Sequence, residues 1–329
     1  MKNITIKFLV IFVFTTTICA FNESFYKDRR VLVTGGCGFI GSHIVEKLVD
    51  LGAIVTILDN LSTGSLLNIA SVKDRIIFIQ GDISNFQDCL QATQGQSIIF
   101  HLAALLSVQD SMKNPQNYFD INVCGTAHLL EAARINSVDR FIFSSSASVY
   151  GAKETICAEE DECRPLSPYG FSKLMGEMLC HFYFEQFGVR SLALRYFNVY
   201  GPRQNPHSAY AAVVSKFKYN MQHNVPLTIF GDGLQTRDFV PVDFIAHCNI
   251  ALASIDASLL HGQPCNAATG KSITLLELID ILRQDFPDYN ASILHKEALP
   301  GDVYHSSADI SQLQNLLKSD TGKKLIFKK

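Results

Sequence analysis

No Cys-x-x-Cys pair occurs in this chain, although it carries nine cysteines, at 19, 37, 89, 124, 157, 163, 180, 248 and 265. An odd number, scattered mostly through apolar runs, argues against a zinc centre or a disulfide framework and points to reduced core thiols; no metal is expected. Positive charge is not in excess either. With 28 Lys and Arg against 31 Asp and Glu, the net charge of -3 excludes a polyanion partner, so no nucleic acid is expected. Linkers rich in Pro, Gly or Ser are missing, as are internal repeats, which excludes a repeat array. An apolar run of membrane-spanning length, about 20 residues, is also lacking. The nearest is Phe8 to Phe14, continuing through three threonines to Ile18, with Lys2 and Lys7 before it and Cys19-Ala20 after. This is the pattern of a secretory signal, except that Ile18 stands where a small residue is preferred. Three readings stay open for residues 1–27: a signal or anchor, a soluble leader, or a later translation start. Membrane contact is expected only if this segment is retained, and the cytoplasm is favoured by the chemistry argued below. What remains, 329 residues that are 47% hydrophobic and 18% charged, suffices for one large domain or two lobes with an ample core.

From Val31 onward, short β-branched runs alternate with longer amphipathic stretches, the signature of a parallel sheet wrapped by helices. Strands are expected at 31–34, 54–58, 76–79, 98–101, 141–144 and 192–196, with helices at 39–51 and near 85–94 and 117–136. Another helix starts at the Ser167-Pro168 pair. After Gly201 the elements shorten: helices near 209–223, 243–256 and 274–285, strands at 227–230 and about 292–295. The fold class read from this is α/β, a Rossmann-like doubly wound parallel sheet with a smaller C-terminal α/β lobe over its carboxyl edge. A cleft between the two is where such sheets bind ligands.

Two stretches bear on chemistry. Thr34-Gly35-Gly36-Cys37-Gly38-Phe39-Ile40-Gly41 links the first strand to a helix, with glycines at 35, 38 and 41. Glycines there permit a tight turn and close approach to a pyrophosphate, and the helix start supplies N–H groups to the anion. Asp59 closes the second strand, where a carboxylate can hold both adenosine ribose hydroxyls and repel a 2′-phosphate, so NAD is favoured over NADP. Asp82 and Ile83 end the third strand near the expected adenine edge. His101-Leu102-Ala103-Ala104 ends the fourth with small side chains against which a flat ring could lie, although a plain βα turn reads the same way. The second stretch places Tyr169 one helical turn before Lys173. A neighbouring ammonium lowers a phenol's pKa from about 10, which makes Tyr169 a candidate base. By itself a Tyr-x-x-x-Lys pair is more often an ordinary helix start.

Eight motifs in order tip that balance: residues 34–41, Asp-Asn-Leu-Ser-Thr-Gly (59–64), His-Leu-Ala-Ala (101–104), Asn-Val-Cys-Gly-Thr (122–126), Ser-Ser-Ser-Ala-Ser-Val-Tyr-Gly (144–151), Ser-Pro-Tyr-Gly-Phe-Ser-Lys (167–173), Arg-Tyr-Phe-Asn-Val-Tyr-Gly (195–201) and Thr-Arg-Asp-Phe-Val-Pro-Val-Asp (236–243). From about Arg30 to Leu317 the chain resembles the extended short-chain dehydrogenase/reductase family, and within it the NAD-dependent nucleotide-sugar 4-epimerases. The resemblance implies an NAD-binding domain over 28–200 and a nucleotide-sugar lobe over 201–329, partly interleaved. It implies catalysis by Ser146, Tyr169 and Lys173, with Tyr169 taking the 4-hydroxyl proton of a UDP-sugar while the C4 hydride passes to tightly held NAD and later returns to the other face. Cofactor contacts are implied for Gly35, Gly38, Phe39, Ile40, Gly41, Asp59, Asn60, Asp82, Ile83, Leu102, Ala103, Ala104, Asn122, Ser144, Tyr169, Lys173 and Tyr196, with Asn122 also supporting the region of Lys173 and Phe197 near the nicotinamide. Ser145, Ser146, Asn198, Arg237, Asp302 and Ser307 are implied on the substrate.

Related chemistries need extra acids. Ala147 and Ser148 stand where sugar 4,6-dehydratases resembling this chain have an Asp-Glu pair, and decarboxylases usually have a Glu at the latter place, so an epimerase is preferred to a dehydratase, decarboxylase or 4-reductase. The intact Ser146, Tyr169 and Lys173 speak against a non-catalytic dinucleotide binder. Ser307 replaces a bulky tyrosine of hexose-only epimerases, so UDP-GlcNAc and UDP-GalNAc are expected alongside UDP-Glc and UDP-Gal. Leu299 replaces a common diphosphate-binding arginine, which removes one charged contact. A homodimer is expected by resemblance, with Cys124, Ala127, Leu130, Ala133, Met175, Met178 and Leu179 giving apolar surface to the helices near 117–136 and 168–187.

Overall fold

The computed structural model describes residues 22–205, 213–298 and 303–321. Six strands fall where hydrophobic runs put them: β1 (Arg30–Thr34), β2 (Ile54–Asp59), β3 (Ile76–Gln80), β4 (Ile98–His101), β5 (Arg140–Ser146) and β6 (Ser191–Tyr196). All pair in parallel, and a seventh strand, Gln263–Ala267, adds to the β6 edge. The order across the sheet is seventh strand, β6, β5, β4, β1, β2, β3, so successive strands run outward in both directions from the β4–β1 pair. That pair is the topological switch point, where neighbouring connections diverge and leave a crevice beyond the strand ends.

Period-two alternation divides the core between the two faces. Val31 and Val33 pack on one side with Phe100, Leu192 and Leu194, under the helices Phe39–Asp50 and Val242–Ser254. Leu32, Ile99, Phe141 and Phe143 pack on the other, under Phe86–Ala92, Gly125–Ile135 and Pro168–Phe187. A third cluster, built from Phe217, Leu227, Ile229, Leu278 and Leu282, is the core of the small lobe.

The chain does not divide cleanly at residue 200. The helix Val242–Ser254 and the seventh strand return to the large sheet, and Leu313 and Leu317 of the last helix join its core. The seventh strand escapes sequence patterning because Gln263, Pro264 and Asn266 are poor strand formers; Pro264 is tolerated at an edge. The expected helix near 117–136 is in fact a short turn, Pro115–Tyr118, a π-helical segment, Phe119–Cys124, and an α-helix, Gly125–Ile135. No helix among the described residues is long and apolar enough to cross a membrane. The described cysteines are free thiols; Cys124 is exposed, contrary to the core placement expected for it. Leu130 and Ala133 are buried within the subunit and offer nothing to a partner, whereas Met178 is exposed beside Phe171 and Phe182.

Candidate active site

At the crevice, the turn after β1 is drawn tight. Gly35 has φ +68° and its N–H donates to the Leu58 carbonyl at 2.9 Å, while Gly38 N–H donates to Gly35 O at 3.0 Å. A Cβ at Gly35 would stand 2.8 Å from Ala103 N, and one at Gly41 only 2.2 Å from Gly35 O. Glycine is therefore required at both places. The helix Phe39–Asp50 begins at Gly38 without a side-chain cap, leaving the first-turn N–H groups of Phe39, Ile40 and Gly41 for an anion. This cradle, pressed against Leu102 and Ala103, fits the pyrophosphate of a dinucleotide.

Asp59 lies next to it, buried, its carboxylate accepting from Cys37 N–H at 2.9 Å and Leu61 N–H at 2.8 Å. Asn60 donates to Asp82 at 2.8 Å, which connects the ends of β2 and β3. Burial raises the Asp82 carboxyl, but hydrogen bonds from Ser84 and Asn60 outweigh it and hold the group below the usual carboxylate range. Ile83 is buried, its carbonyl accepting from His128 Nδ1 at 3.1 Å. Asn122 bears on the lysine region, the role the resemblance implies for it, and not on the cofactor directly: its amide is engaged with both backbone groups of Leu105, at 2.8 and 3.0 Å, and with Ser172 Oγ at 3.0 Å. It supports the helix that carries Tyr169 and Lys173, with no side-chain group left directed at a dinucleotide.

That helix, Pro168–Phe187, starts where Ser167 Oγ accepts from Gly170 N–H at 3.1 Å and Pro168 occupies the first turn; it stops at left-handed Gly188. Tyr169 and Lys173 both reach the carboxyl end of β5. Ser146 Oγ donates to Ser148 Oγ at 3.1 Å beside the Tyr169 phenol, and Lys173 Nζ donates to Ser144 O at 2.7 Å, 5.1 Å above the Phe143 ring. One expectation is corrected here. Burial raises the Tyr169 phenol, its counterweight is the neighbouring Ser146 hydroxyl, and the Lys173 ammonium is directed at the Ser144 carbonyl. Burial in turn lowers Lys173 to about 7, with Glu177 opposing.

Alternation along β5 also corrects Ser145. Ser144 and Ser146 share one face; Ser145 points to the other, where its hydroxyl donates to buried Glu177 at 2.5 Å. It has no side-chain group for a substrate. Glu177 is paired with Arg195, both inaccessible, and Arg195 stacks on Tyr150 at 4.6 Å.

A cavity of about 630 Å³ opens over this floor. Ser146, Tyr196, Phe197, Asn198 and Arg237 line it, so five of the expected residues converge. Tyr196 donates its hydroxyl to Asn249 Oδ1 at 2.8 Å. Parallel pairing of Asn198–Tyr200 with Phe239–Pro241 brings the Asn198 and Arg237 regions together. Ser307 does not line the cavity: its carbonyl accepts from Cys157 N–H at 2.8 Å, and Val303, His305 and Ser306 form that wall. Asp302 and Leu299 lie outside the described residues, as does the apolar segment before Asn22. Sequence reasoning missed Val108, Gln109, Met112 and Leu166, which form the facing wall. The signal was present: Ser107 caps the short helix Val108–Lys113 directly after the His-Leu-Ala-Ala turn, and that helix exposes Val108 and Met112.

The model of the NAD dependent epimerase/dehydratase family matches residues 31–268. A UDP-glucose 4-epimerase of Mycolicibacterium smegmatis is 37% identical over 254 residues, 76% of this chain and 80% of that protein. Among solved structures, a UDP-N-acetylglucosamine 4-epimerase from Methanobrevibacter ruminantium, in complex with UDP-N-acetylmuramic acid, superposes with a TM-score of 0.84 at 38% identity, covering 88% of this chain and 92% of its own. A Thermus thermophilus UDP-glucose 4-epimerase in complex with NAD gives 0.78 at 32% identity, covering 87% and 92%.

Proposed function

Because the chain belongs to the NAD dependent epimerase/dehydratase family, we infer that it is an NAD-dependent epimerase acting at C4 of a UDP-sugar, and that 2-acetamido sugars are among its substrates. The reading is carried by one convergence: Ser146, Tyr169 and Lys173 meet at the end of β5, with Ser146 on the floor of the cavity. NAD, when bound in the glycine cradle, supplies a hydride acceptor. The protein supplies proton handling and orientation. Ser146 holds the sugar's 4-oxygen and passes its polarity to the Tyr169 phenol, which exchanges the 4-hydroxyl proton. Lys173, anchored on Ser144 O, stands behind that pair as a second group able to hold or release a proton near neutral pH. Arg237 and Asn198, on the opposite wall, are placed to hold a diphosphate.

Elimination of water is disfavoured because Ala147 and Ser148, both on the cavity, carry no carboxyl. The acetamido reading is supported by the solved relative named as a UDP-N-acetylglucosamine 4-epimerase and by Ser306, a small side chain on the cavity wall. A homodimer through the helix Pro168–Phe187 is part of the proposal, supported by exposed Phe171, Met178 and Phe182; sedimentation tests it. The decisive experiment incubates purified protein with UDP-GlcNAc without added NAD. UDP-GalNAc should form, with no release of water or CO2; no product from any of several UDP-hexoses would overturn the reading.

A further inference from the structure

His101, at the end of β4, is buried, and nothing in the proposed chemistry uses it. Both ring nitrogens are engaged: Nδ1 lies 2.8 Å from Thr34 Oγ1 and Nε2 lies 3.0 Å from Thr126 Oγ1. The partners decide which nitrogen holds the proton. Thr126 gives its single hydroxyl proton to the Asn122 carbonyl at 2.6 Å, so toward His101 it only accepts, and Nε2 is the N–H. Thr34 Oγ1 accepts from Leu102 N–H and Ala103 N–H, both at 3.2 Å, which leaves its own proton for Nδ1. The ring is held neutral in one tautomer. Burial, with a smaller contribution from the Lys173 charge, disfavours the imidazolium and brings the group down to about 3.

The bonds continue at both ends. On one side are Leu102 and Ala103, which press against Gly35 of the cradle. On the other, Asn122 donates to Ser172 Oγ at 3.0 Å, and Ser172 donates to the Tyr169 carbonyl at 2.7 Å. We propose that His101 is a positioning residue: as the Nε2–H tautomer it forms the middle link of a buried hydrogen-bond strut that fixes the distance between the glycine cradle and the backbone of Tyr169. A second coupling runs through the sheet from β1 to β4 and on to β5, whose Ser144 carbonyl holds Lys173 of the same helix; it ends on the Lys173 ammonium, whereas the His101 path ends on the Tyr169 backbone. A link of this kind acts on turnover more than on substrate affinity, because small misplacements of reacting groups are costly in rate.

The inference rests on the epimerase reading only for its kinetic arm. The first measurement is independent of turnover: nitrogen-15 NMR of histidine-labelled, full-length protein should show one slowly exchanging imidazole N–H that disappears in H101N, with the Nε2–H shift pattern and no titration between pH 5 and 8. An Nδ1–H tautomer or a titrating ring overturns the strut whatever the enzyme does. The second arm compares variants. T126V removes the acceptor for Nε2–H and should lower kcat at least tenfold with KM changed less than twofold, while T126S restores at least half of the wild-type kcat. H101Q, whose amide can still donate toward Thr126, should keep more kcat than H101N, which reaches only toward Thr34. Equal kcat for T126V and wild type at a temperature where both are folded, or T126S no better than T126V, refutes the proposal; loss of melting temperature alone, with kcat intact, refutes it too.

Discussion

Replacing Glu177 by Gln tests the buried pair behind the reacting serine. The Glu177 and Arg195 side chains are 6% and 3% exposed, so water cannot compensate either charge. Glu177 accepts from Arg195 Nε at 2.9 Å and Nη2 at 2.7 Å, and from Ser145 Oγ at 2.5 Å. Burial pushes the Arg195 guanidinium toward neutrality, but Glu177 and Tyr150 more than reverse this and it stays charged. E177Q therefore leaves a buried cation without its counter-charge, a loss of about 3–5 kcal/mol. Against a total of roughly 5–15 kcal/mol this is a large fraction. The melting temperature should fall by about 4–7 °C. Removing both charges with E177L/R195M should cost less than E177Q alone, because no orphaned cation remains. Thermal and urea denaturation, followed by circular dichroism at equal NAD content, measures both. Destabilisation by E177Q below about 1 kcal/mol, or a double variant as unstable as the sum of the singles, would refute the assignment of a desolvated ion pair.

The other predictions concern titration, the cradle and the substrate wall. Lys173 stands at about 7 in the folded protein against 10.5 ordinarily; between those values the unfolded chain holds the extra proton, so stability should rise with pH across pH 7–10.5 by up to about 1.4 kcal/mol per pH unit. K173M should flatten that slope, and identical slopes in wild type and variant would contradict the burial assigned to the ammonium. G41A drives a Cβ to 2.2 Å from Gly35 O and should reduce co-purifying NAD at least tenfold, read from the absorbance of denatured extracts; full NAD content would remove the loop from the cofactor site. S306Y should narrow specificity, cutting turnover of UDP-GlcNAc at least tenfold relative to UDP-Glc, because Ser306 lines the cavity and Ser307 does not. An unchanged ratio would assign discrimination to other wall residues such as His305.

Much of this protein is local in its causes, and that part was legible. Strands β1 to β6 follow from β-branched runs whose alternate side chains pack on two faces, and the cradle follows from glycines placed between a strand and a helix. The Tyr169 helix is punctuated by Ser167, Pro168 and Gly188 because caps depend only on neighbouring backbone. Family motifs then located Ser146, Asn198 and Arg237, and these do meet at one cavity.

Contacts between residues distant in the chain were decided only by folding. Adjacency of Ser145 to Glu177 and Arg195 depends on how a helix lies across a sheet, which no local pattern encodes; the same holds for Lys173 choosing the Ser144 carbonyl over the Tyr169 phenol. The seventh strand forms because an exposed edge of β6 accepts a segment of poor intrinsic propensity. Whether a titratable group is raised or lowered is likewise a tertiary matter, since desolvation depends on everything packed around it: the sequence places Tyr169, Lys173 and His101, and the interior sets their charge.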